Sequence, residues 1–331
     1  MVLFLVVVVG SSIAAAWLLA RFLVSRGWGE CEFNPNIVGK VVLVTGGNSG
    51  IGLQTAKYLS EHGAQVIIAA RNDEKSAQVV AKLARQNQQN VNFVDVDWMH
   101  LDLNSFASVR EFAAKLLQKY PRLDIVIHNA GVYGPPYKIN EDRFETQMCV
   151  NHLGNVLLTR LLMPRLTGNG EHDPAKILMV NSALYKRGKV EDCYFGPMTE
   201  QEFLSTSMYA NSKLCSLLYA RRLAIELSQQ AKHVTVNILS PGLVLTDVTR
   251  YQRFKYLKFA LLTIPLGWFT KTPHQGAQTT LQCAMHSTLS ENGKWFSNCK
   301  QGTFAAVADR QDWTDKVWTL TNQLIGINQN K

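Results

Sequence analysis

A chain of 331 residues, 47% hydrophobic and 18% charged, can fill the core of one large domain or two ordinary ones. Its formal charge of +9, spread without any long Lys/Arg tract, points to an anionic small molecule or a membrane surface and away from nucleic acid. The six cysteines (Cys31, Cys149, Cys193, Cys215, Cys283, Cys299) form no Cys-x-x-Cys pair and no metal-ligand spacing with histidine. No metal site is expected, and all six read as reduced thiols in a cytosol-facing domain.

Val2 to Ala20 carries no charge. As a helix rising about 1.5 Å per residue it nearly crosses the roughly 30 Å hydrocarbon layer, so residues 1–24 are read as a membrane anchor. A cleaved signal peptide is the alternative, with Ala14 to Ala16 mimicking a cleavage site, but the stretch lacks a basic n-region. Arg21 and Arg26 follow it and no cation precedes it, which places the rest of the chain in the cytosol. Residues 25–38 read as a linker, 39–325 as one folded domain and 326–331 as a tail.

Lys40 to Thr45 has the apolar run of a buried strand, and Gly46-Gly47-Asn48-Ser49-Gly50-Ile51-Gly52 follows at once. A helix then starts, with Leu53, Ala56 and Leu59 in step. Strand, glycine turn and helix in that order form the cradle in which a dinucleotide pyrophosphate rests on a helix N-terminus. The second strand, Gln65 to Ala70, ends at Arg71, where an acidic residue would bind the ribose hydroxyls of NAD. A guanidinium there suits the 2′-phosphate of NADP. A solvated turn residue is the alternative for Arg71, and Asp73 keeps NAD in play.

A helix over Asp73 to Gln86, a strand around Val91 to Val96, Leu101-Asp102-Leu103 and a helix from Asn104 continue the alternation. Leu123 to His128 is a fourth strand, running into Asn129-Ala130-Gly131. The long helical pattern Glu141 to Arg165 carries Asn151 among apolar neighbours, where an amide needs partners. Lys176 to Val180 is a fifth strand ending at Asn181-Ser182. Val234 to Leu239 is a sixth, followed by Pro241, Gly242 and Thr246, and Gly302 to Val307 a seventh. Strands alternating with helices predict an α/β domain with a Rossmann-type, doubly wound parallel sheet of about seven strands. Ligands of such sheets bind beyond the carboxyl ends of the strands, where the glycine turn, Arg71, Asn129, Ser182 and Pro241 all fall.

Between the fifth and sixth strands, Leu214, Leu217, Leu218 and Ile225 recur at helical spacing, and Tyr209 and Lys213 stand one turn apart off that stripe. An ammonium held beside a phenol favours phenolate, so Lys213 is expected to lower the pKa of Tyr209 and fit it for proton transfer to a substrate oxygen.

With these motifs in order (Thr45-Gly46-x-x-x-Gly50-Ile51-Gly52, Asp102-Leu103, Asn129-Ala130-Gly131, Asn151, Ser182, Tyr209-x-x-x-Lys213, Pro241-Gly242-x-x-x-Thr246) the chain resembles the short-chain dehydrogenases/reductases over about Gly39 to Ile325. The resemblance implies Tyr209 as acid/base, Lys213 as its partner holding the nicotinamide ribose, Ser182 on the substrate oxygen, and Asn151 holding a water that links Lys213 to solvent. It implies a cofactor cradle of Gly46, Asn48, Ser49, Gly50, Ile51 and Gly52. Asp102 and Leu103 would lie at the adenine, Asn129 would brace the central strands, and Pro241, Gly242 and Thr246 would lie at the carboxamide. His128 and Asn181 depart from the usual pattern without removing a group the chemistry needs.

Ala69-Ala70-Arg71-Asn72, Val150-Asn151-His152-Leu153-Gly154 and Phe269-Thr270-Lys271-Thr272-Pro273 are similar to membrane-anchored retinol dehydrogenase-type enzymes and to the oxidoreductase domain of the WW-domain-containing oxidoreductase. That likeness implies NADP-dependent interconversion of a lipophilic alcohol and its carbonyl at the endoplasmic reticulum membrane. Residues 247–271 mix cations, aromatics and an apolar run, which suits a lid touching an anionic bilayer; an amphipathic helix packed on the core is the plainer reading. A membrane-tethered sensor or scaffold that binds NADP with little turnover is the alternative function. Oligomeric state is not legible.

Overall fold

The computed structural model describes residues 15–23, 25–29, 31, 37–166, 173–191, 198–203, 205–230, 233–244, 270–286 and 291–326. Residues 1–14 of the expected anchor, Thr246, residues 247–269 of the expected lid, Cys193 and the tail from 327 lie outside them. Residues 15–23 are helical, with Trp17, Leu18, Leu19, Phe22 and Leu23 exposed. No helix among the described residues is long and apolar enough to cross a membrane.

Eight strands form one sheet: β1 (Val41–Thr45), β2 (Gln65–Ala70), β3 (Asp97–His100), β4 (Ile125–His128), β5 (Ala175–Val180), β6 (Val234–Ser240), β7 (Trp295–Ser297) and β8 (Lys300–Gly302). Their order is β3-β2-β1-β4-β5-β6-β7-β8, parallel except for the last pair. The order reverses between β1 and β4, the switch point at which such sheets open a crevice.

Successive residues of a strand face opposite sides, and here both sides are dry. Val41, Leu43, Ile67, Val126, Ile177 and Val236 point into one core, packed by α3 (Phe106–Lys119), α4 (Gly154–Leu162), α5 (Ser205–Gln229) and Val317 of α7 (Gln311–Leu324). Val42, Val44, Ile68, Ile127 and Leu178 point into the other, packed by α1 (Gly50–Glu61), Leu83 of α2 (Asp73–Gln86) and α6 (Pro273–Met285). At about 1.5–3 kcal/mol for each large apolar side chain fully buried, the two cores fix which face every strand shows.

Helix starts follow capping chemistry. Asn72 accepts from the Lys75 amide ahead of Asp73 and Glu74, and Thr272 with Gln275 makes a reciprocal capping box behind Pro273.

Several expectations are corrected. The third strand is Asp97–His100 and not Val91–Val96: Val91 is 96% exposed, and pairing with β2 starts only at Asp97. The expected strand at 302–307 is replaced by the β7–β8 hairpin, whose turn residues Asn298 and Cys299 have φ of 50° and 57°, so the sheet has eight strands. The pattern Glu141 to Arg165 is broken into a single turn (Thr146–Met148), a π-turn (Cys149–Leu153) and α4, where a Cβ on Gly154 would strike the Leu103 carbonyl. Ile225 is 49% exposed, so the buried stripe of α5 runs through Leu214, Leu217, Leu218 and Leu227. Cys31 and Cys299 are joined in a disulfide, against the expectation of reduced thiols, whereas Cys149, Cys215 and Cys283 are buried and not disulfide-bonded, as expected. The bridged pair is separated by 268 positions, which no spacing rule detects.

Candidate active site

A cavity of about 390 Å³ opens at the carboxyl ends of β1, β2, β4, β5 and β6. Its wall contains Gly46, Asn48, Ser49, Gly50, Ile51, Arg71, Asp102, Leu103, Asn129, Ser182, Tyr209, Lys213, Pro241 and Gly242. Of the expected site residues only Gly52 and Asn151 stand behind the wall, and Thr246 lies outside the described residues.

The loop after β1 requires its glycines for two reasons. Gly46 and Gly50 have φ of 65° and 54°, a region costly to residues with a Cβ. Gly52 is needed for contact: a Cβ would lie 2.5 Å from the Gly46 carbonyl oxygen and closer still to the Asn129 amide. The α1 N-terminus is thereby brought onto the strand ends, with Ser49 at the N-cap leaving its hydroxyl out of the cap. Asn129 N–H and Ala130 N–H both donate to Thr45 Oγ1 at 3.0 Å, and Asn129 Nδ2 donates to the Thr45 carbonyl at 3.0 Å. Asn129 thus ties β4 to β1 at the cavity wall. Asn48 Nδ2 donates to Ser76 Oγ at 3.0 Å, fastening the glycine loop to α2.

Beyond β2 the wall carries two cations, Arg71 and Lys75. Asp73 is not part of it; its carboxylate meets His100 Nδ1 at 2.8 Å on the outer side of α2. At the next strand end Asp102 Oδ1 accepts from Asn104 N–H at 2.9 Å, which shapes the turn that presents Leu103.

On the far side, the end of β5 is stitched to α5. Lys213 Nζ donates to the Val180 carbonyl at 2.9 Å, and Asn181 Nδ2 donates to the Lys213 carbonyl at 2.9 Å. Ser182 N–H donates to Asn181 Oδ1 at 2.7 Å, and the Ser182 hydroxyl hydrogen-bonds the Tyr209 phenol. The residue that departs from the usual pattern before Ser182 is therefore the brace that fixes Ser182 relative to Lys213.

Electrostatics correct one expectation. Burial pushes the Tyr209 phenol up to about 12, with the Ser182 hydrogen bond opposing and the Tyr133 phenol adding to the rise. Burial likewise pushes the Lys213 ammonium down to about 8. The lysine nitrogen stands 5.8 Å from the phenol ring centre, and burial, not the ammonium, sets the direction of the phenol's shift.

Asn151 sits in the π-turn, a device that re-aims side chains at functional sites. Its Oδ1 accepts from Val132 N–H at 2.9 Å, and its Nδ2 donates to the Val132 carbonyl and to Ser212 Oγ, both at 3.0 Å. Ser212 in turn donates to the Tyr209 carbonyl at 2.9 Å. Both amide hydrogens are committed to holding the loop after β4 against the turn that carries Tyr209. A Cβ on Gly131 would lie 3.2 Å from Asn151 Oδ1 and 3.6 Å from Lys213 Nζ, so the three positions converge.

Sequence reading named Thr45 and Asn181 without giving either a role, and missed Lys75 and Tyr133. Lys75, four positions after Arg71, was a detectable signal; the edge-on packing of the Tyr133 and Tyr209 rings, 4.8 Å apart, was not. With φ-positive glycines, a helix start and two cations along one wall, the cavity fits an anionic dinucleotide.

A model of the short chain dehydrogenase family matches residues 40–256. Retinol dehydrogenase 14 of Mus musculus is 37% identical over 327 residues, covering 95% of this chain and 95% of the relative. Retinol dehydrogenase 13 of Homo sapiens is 35% identical over 323 residues, covering 96% and 93%. Among solved structures, an uncharacterized protein from Mycobacterium paratuberculosis superposes with a TM-score of 0.67 at 25% identity, covering 88% of this chain and 95% of that one. A short chain dehydrogenase from Shigella flexneri 2A, complexed with NADP, gives 0.60 at 24% identity, covering 80% and 98%.

Proposed function

The chain belongs to the short-chain dehydrogenase family, and from that premise we propose that it is an NADP-dependent oxidoreductase interconverting a lipophilic, retinoid-like alcohol and its aldehyde or ketone. The observation that carries the reading is the convergence of the Ser182 hydroxyl, the Tyr209 phenol and the Lys213 amine on one wall of the cavity, opposite the glycine loop. The relatives' retinol dehydrogenase names support the substrate class. Arg71 and Lys75 in the wall, with Asp73 turned onto His100, support NADP over NAD.

A bound dinucleotide would supply or accept the hydride. Everything else is done by this chain. Gly46 to Gly52 and the α1 N-terminus would hold the pyrophosphate, and Arg71 and Lys75 would hold the 2′-phosphate. Ser182 and Tyr209 donate hydrogen bonds to the carbonyl oxygen, stabilising the charge that develops on it. A phenol near 12 is protonated at neutral pH, the state required to deliver its proton to that oxygen. An amine near 8 exchanges protons readily at the same pH, so Lys213 can reload the phenol. Residues 1–24 tether the domain to the endoplasmic reticulum membrane, and residues 247–271 contact the bilayer from which the substrate enters.

Purified chain in detergent, assayed with NADPH and NADH against retinal, a polyprenal and a ketosteroid, tests the reading. Turnover of at least one carbonyl with NADPH is expected, falling by about a hundredfold or more in Tyr209→Phe, with NADPH binding unchanged. Undiminished turnover by Tyr209→Phe would overturn the acid/base role. Binding of NADPH with no turnover of any carbonyl would identify a sensor instead.

A further inference from the structure

We propose that the Cys31–Cys299 disulfide is a redox-operated strap: closed, it clamps the segment leaving the N-terminal helix onto the loops flooring the cavity, and opened by a dithiol it loosens them. The bridge joins residues at opposite ends of the chain with their Cα atoms 6.0 Å apart. Each half is docked on α6: Cys31 N–H donates to Gln278 Oε1 at 3.3 Å and Cys299 N–H to Thr279 Oγ1 at 3.2 Å. Next to it the two backbones touch, since Gly29 has φ of 72° and a Cβ there would lie 2.6 Å from the Asn298 carbonyl oxygen. Trp28 is buried at the same junction.

Lys271 connects this junction to the active site. Its Nζ donates to the Trp28 carbonyl at 3.1 Å and to Asn298 Oδ1 at 2.7 Å. Its stem would meet a Cβ on Gly242 at 3.4 Å, and Gly242 lines the cavity. Its backbone N–H donates to the Leu243 carbonyl at 2.8 Å. Strap, hairpin and cavity floor thus share one side chain. Losing the covalent tie frees the Trp28 carbonyl to leave Lys271, whose buried ammonium then keeps one partner fewer, and the 242–244 and 270–276 segments follow.

Closure converts two thiols into one S–S bond. The two sulfurs give up two electrons and two protons to a thiol–disulfide oxidant, and a dithiol reductant reverses the step. Both sulfur-bearing residues are partly exposed, so a soluble reagent reaches them.

The full chain, isolated from membranes without reductant, tests this. Denatured protein should show two more alkylatable thiols after dithiol treatment than before, with no gain of two in Cys31→Ser. Folded protein treated with dithiol should exchange the Lys271 amide about tenfold faster and bind NADPH at least threefold more weakly, whereas Cys31→Ser should show both changes without reductant. The NADPH readout rests on the cofactor reading above; the exchange readout does not. Full alkylation of both sulfurs before reduction overturns the strap, and so do exchange at Lys271 and NADPH affinity that reduction leaves unmoved.

Discussion

Gly52→Ala isolates the close approach on which the cofactor cradle depends, because Gly52 does not occupy the left-handed region and the substitution adds only a methyl group. That methyl would lie 2.5 Å from the Gly46 carbonyl oxygen and 3.0 Å from its carbonyl carbon, about 1 Å inside ordinary contact, with the Asn129 amide nearer still. Neither obstacle is a flexible chain end, since Asn129 is held to Thr45 at 3.0 Å. Helix α1 must retreat from β1, or the Asn129 bond must break. Overpacking costs about 1–3 kcal/mol and the hydrogen bond about 1 kcal/mol, so a loss of about 2–4 kcal/mol is expected. At about 2–4 °C per kcal/mol this lowers Tm by roughly 4–16 °C. Differential scanning fluorimetry with an NADPH titration measures both the loss of stability and the weakened grip on the pyrophosphate. Gly39→Ala is the control: its φ is 71° but nothing lies within 4 Å, so only a backbone cost of about 1 kcal/mol applies and cofactor affinity is untouched. A Gly52→Ala protein that melts with wild type and binds NADPH equally would refute the steric reading.

Lys213→Met should be more stable than wild type at pH 7 while inactive. A folded pKa near 8 against the usual 10.5 means the native state binds fewer protons between those values, so wild-type stability rises with pH across that window. At pH 7 the buried ammonium costs up to about 3 kcal/mol, reduced by its bond to Val180, and the advantage of the variant should vanish by about pH 10 in chemical denaturation. A pH-independent difference would refute it. Arg71→Glu should raise KM for NADPH about 10–100-fold and leave that for NADH nearly unchanged, as expected from losing a charge-assisted contact of about 1.5–3 kcal/mol; equal losses for both cofactors would place Arg71 outside the 2′-phosphate site. A chain lacking residues 1–24 should still sediment with anionic vesicles and release with salt if residues 247–271 meet the bilayer, and loss of all vesicle affinity would exclude that contact.

Much of the architecture was legible because a two-sided sheet writes itself as continuous apolar runs, and Val41 to Thr45 and Val234 to Ser240 are buried at every position. The glycine loop and the Tyr209/Lys213 pair were legible because each needs particular residue types at fixed spacing. What escaped has physical causes. Val91 to Val96 has strand-like composition, yet pairing begins at Asp97, a choice made by β2 and not by local preference. Trp295 to Ser297 is too short to show a period. The shift of the Tyr209 phenol depends on how much water the fold removes, which neither neighbouring residue encodes, and sequence reasoning therefore got the direction wrong. Asn151 was expected to hold a water linking Lys213 to solvent; the partners its amide has in the fold, Val132 and Ser212, are brought to it only by the π-turn and α5.

The strand order also sets a timetable for synthesis. By the time residue 100 has left the ribosome, β1, β2 and β3 can pair, but the opposite edge of β1 has no neighbour until β4 arrives at Ile125–His128. Making residues 101–128 takes about one to six seconds at roughly 5–20 residues per second. During that interval the backbone of Val42, Leu43 and Val44 offers an open, apolar edge to any other nascent strand, so misassembly of this chain should concentrate in that window and ease when translation through residues 101–128 is fast.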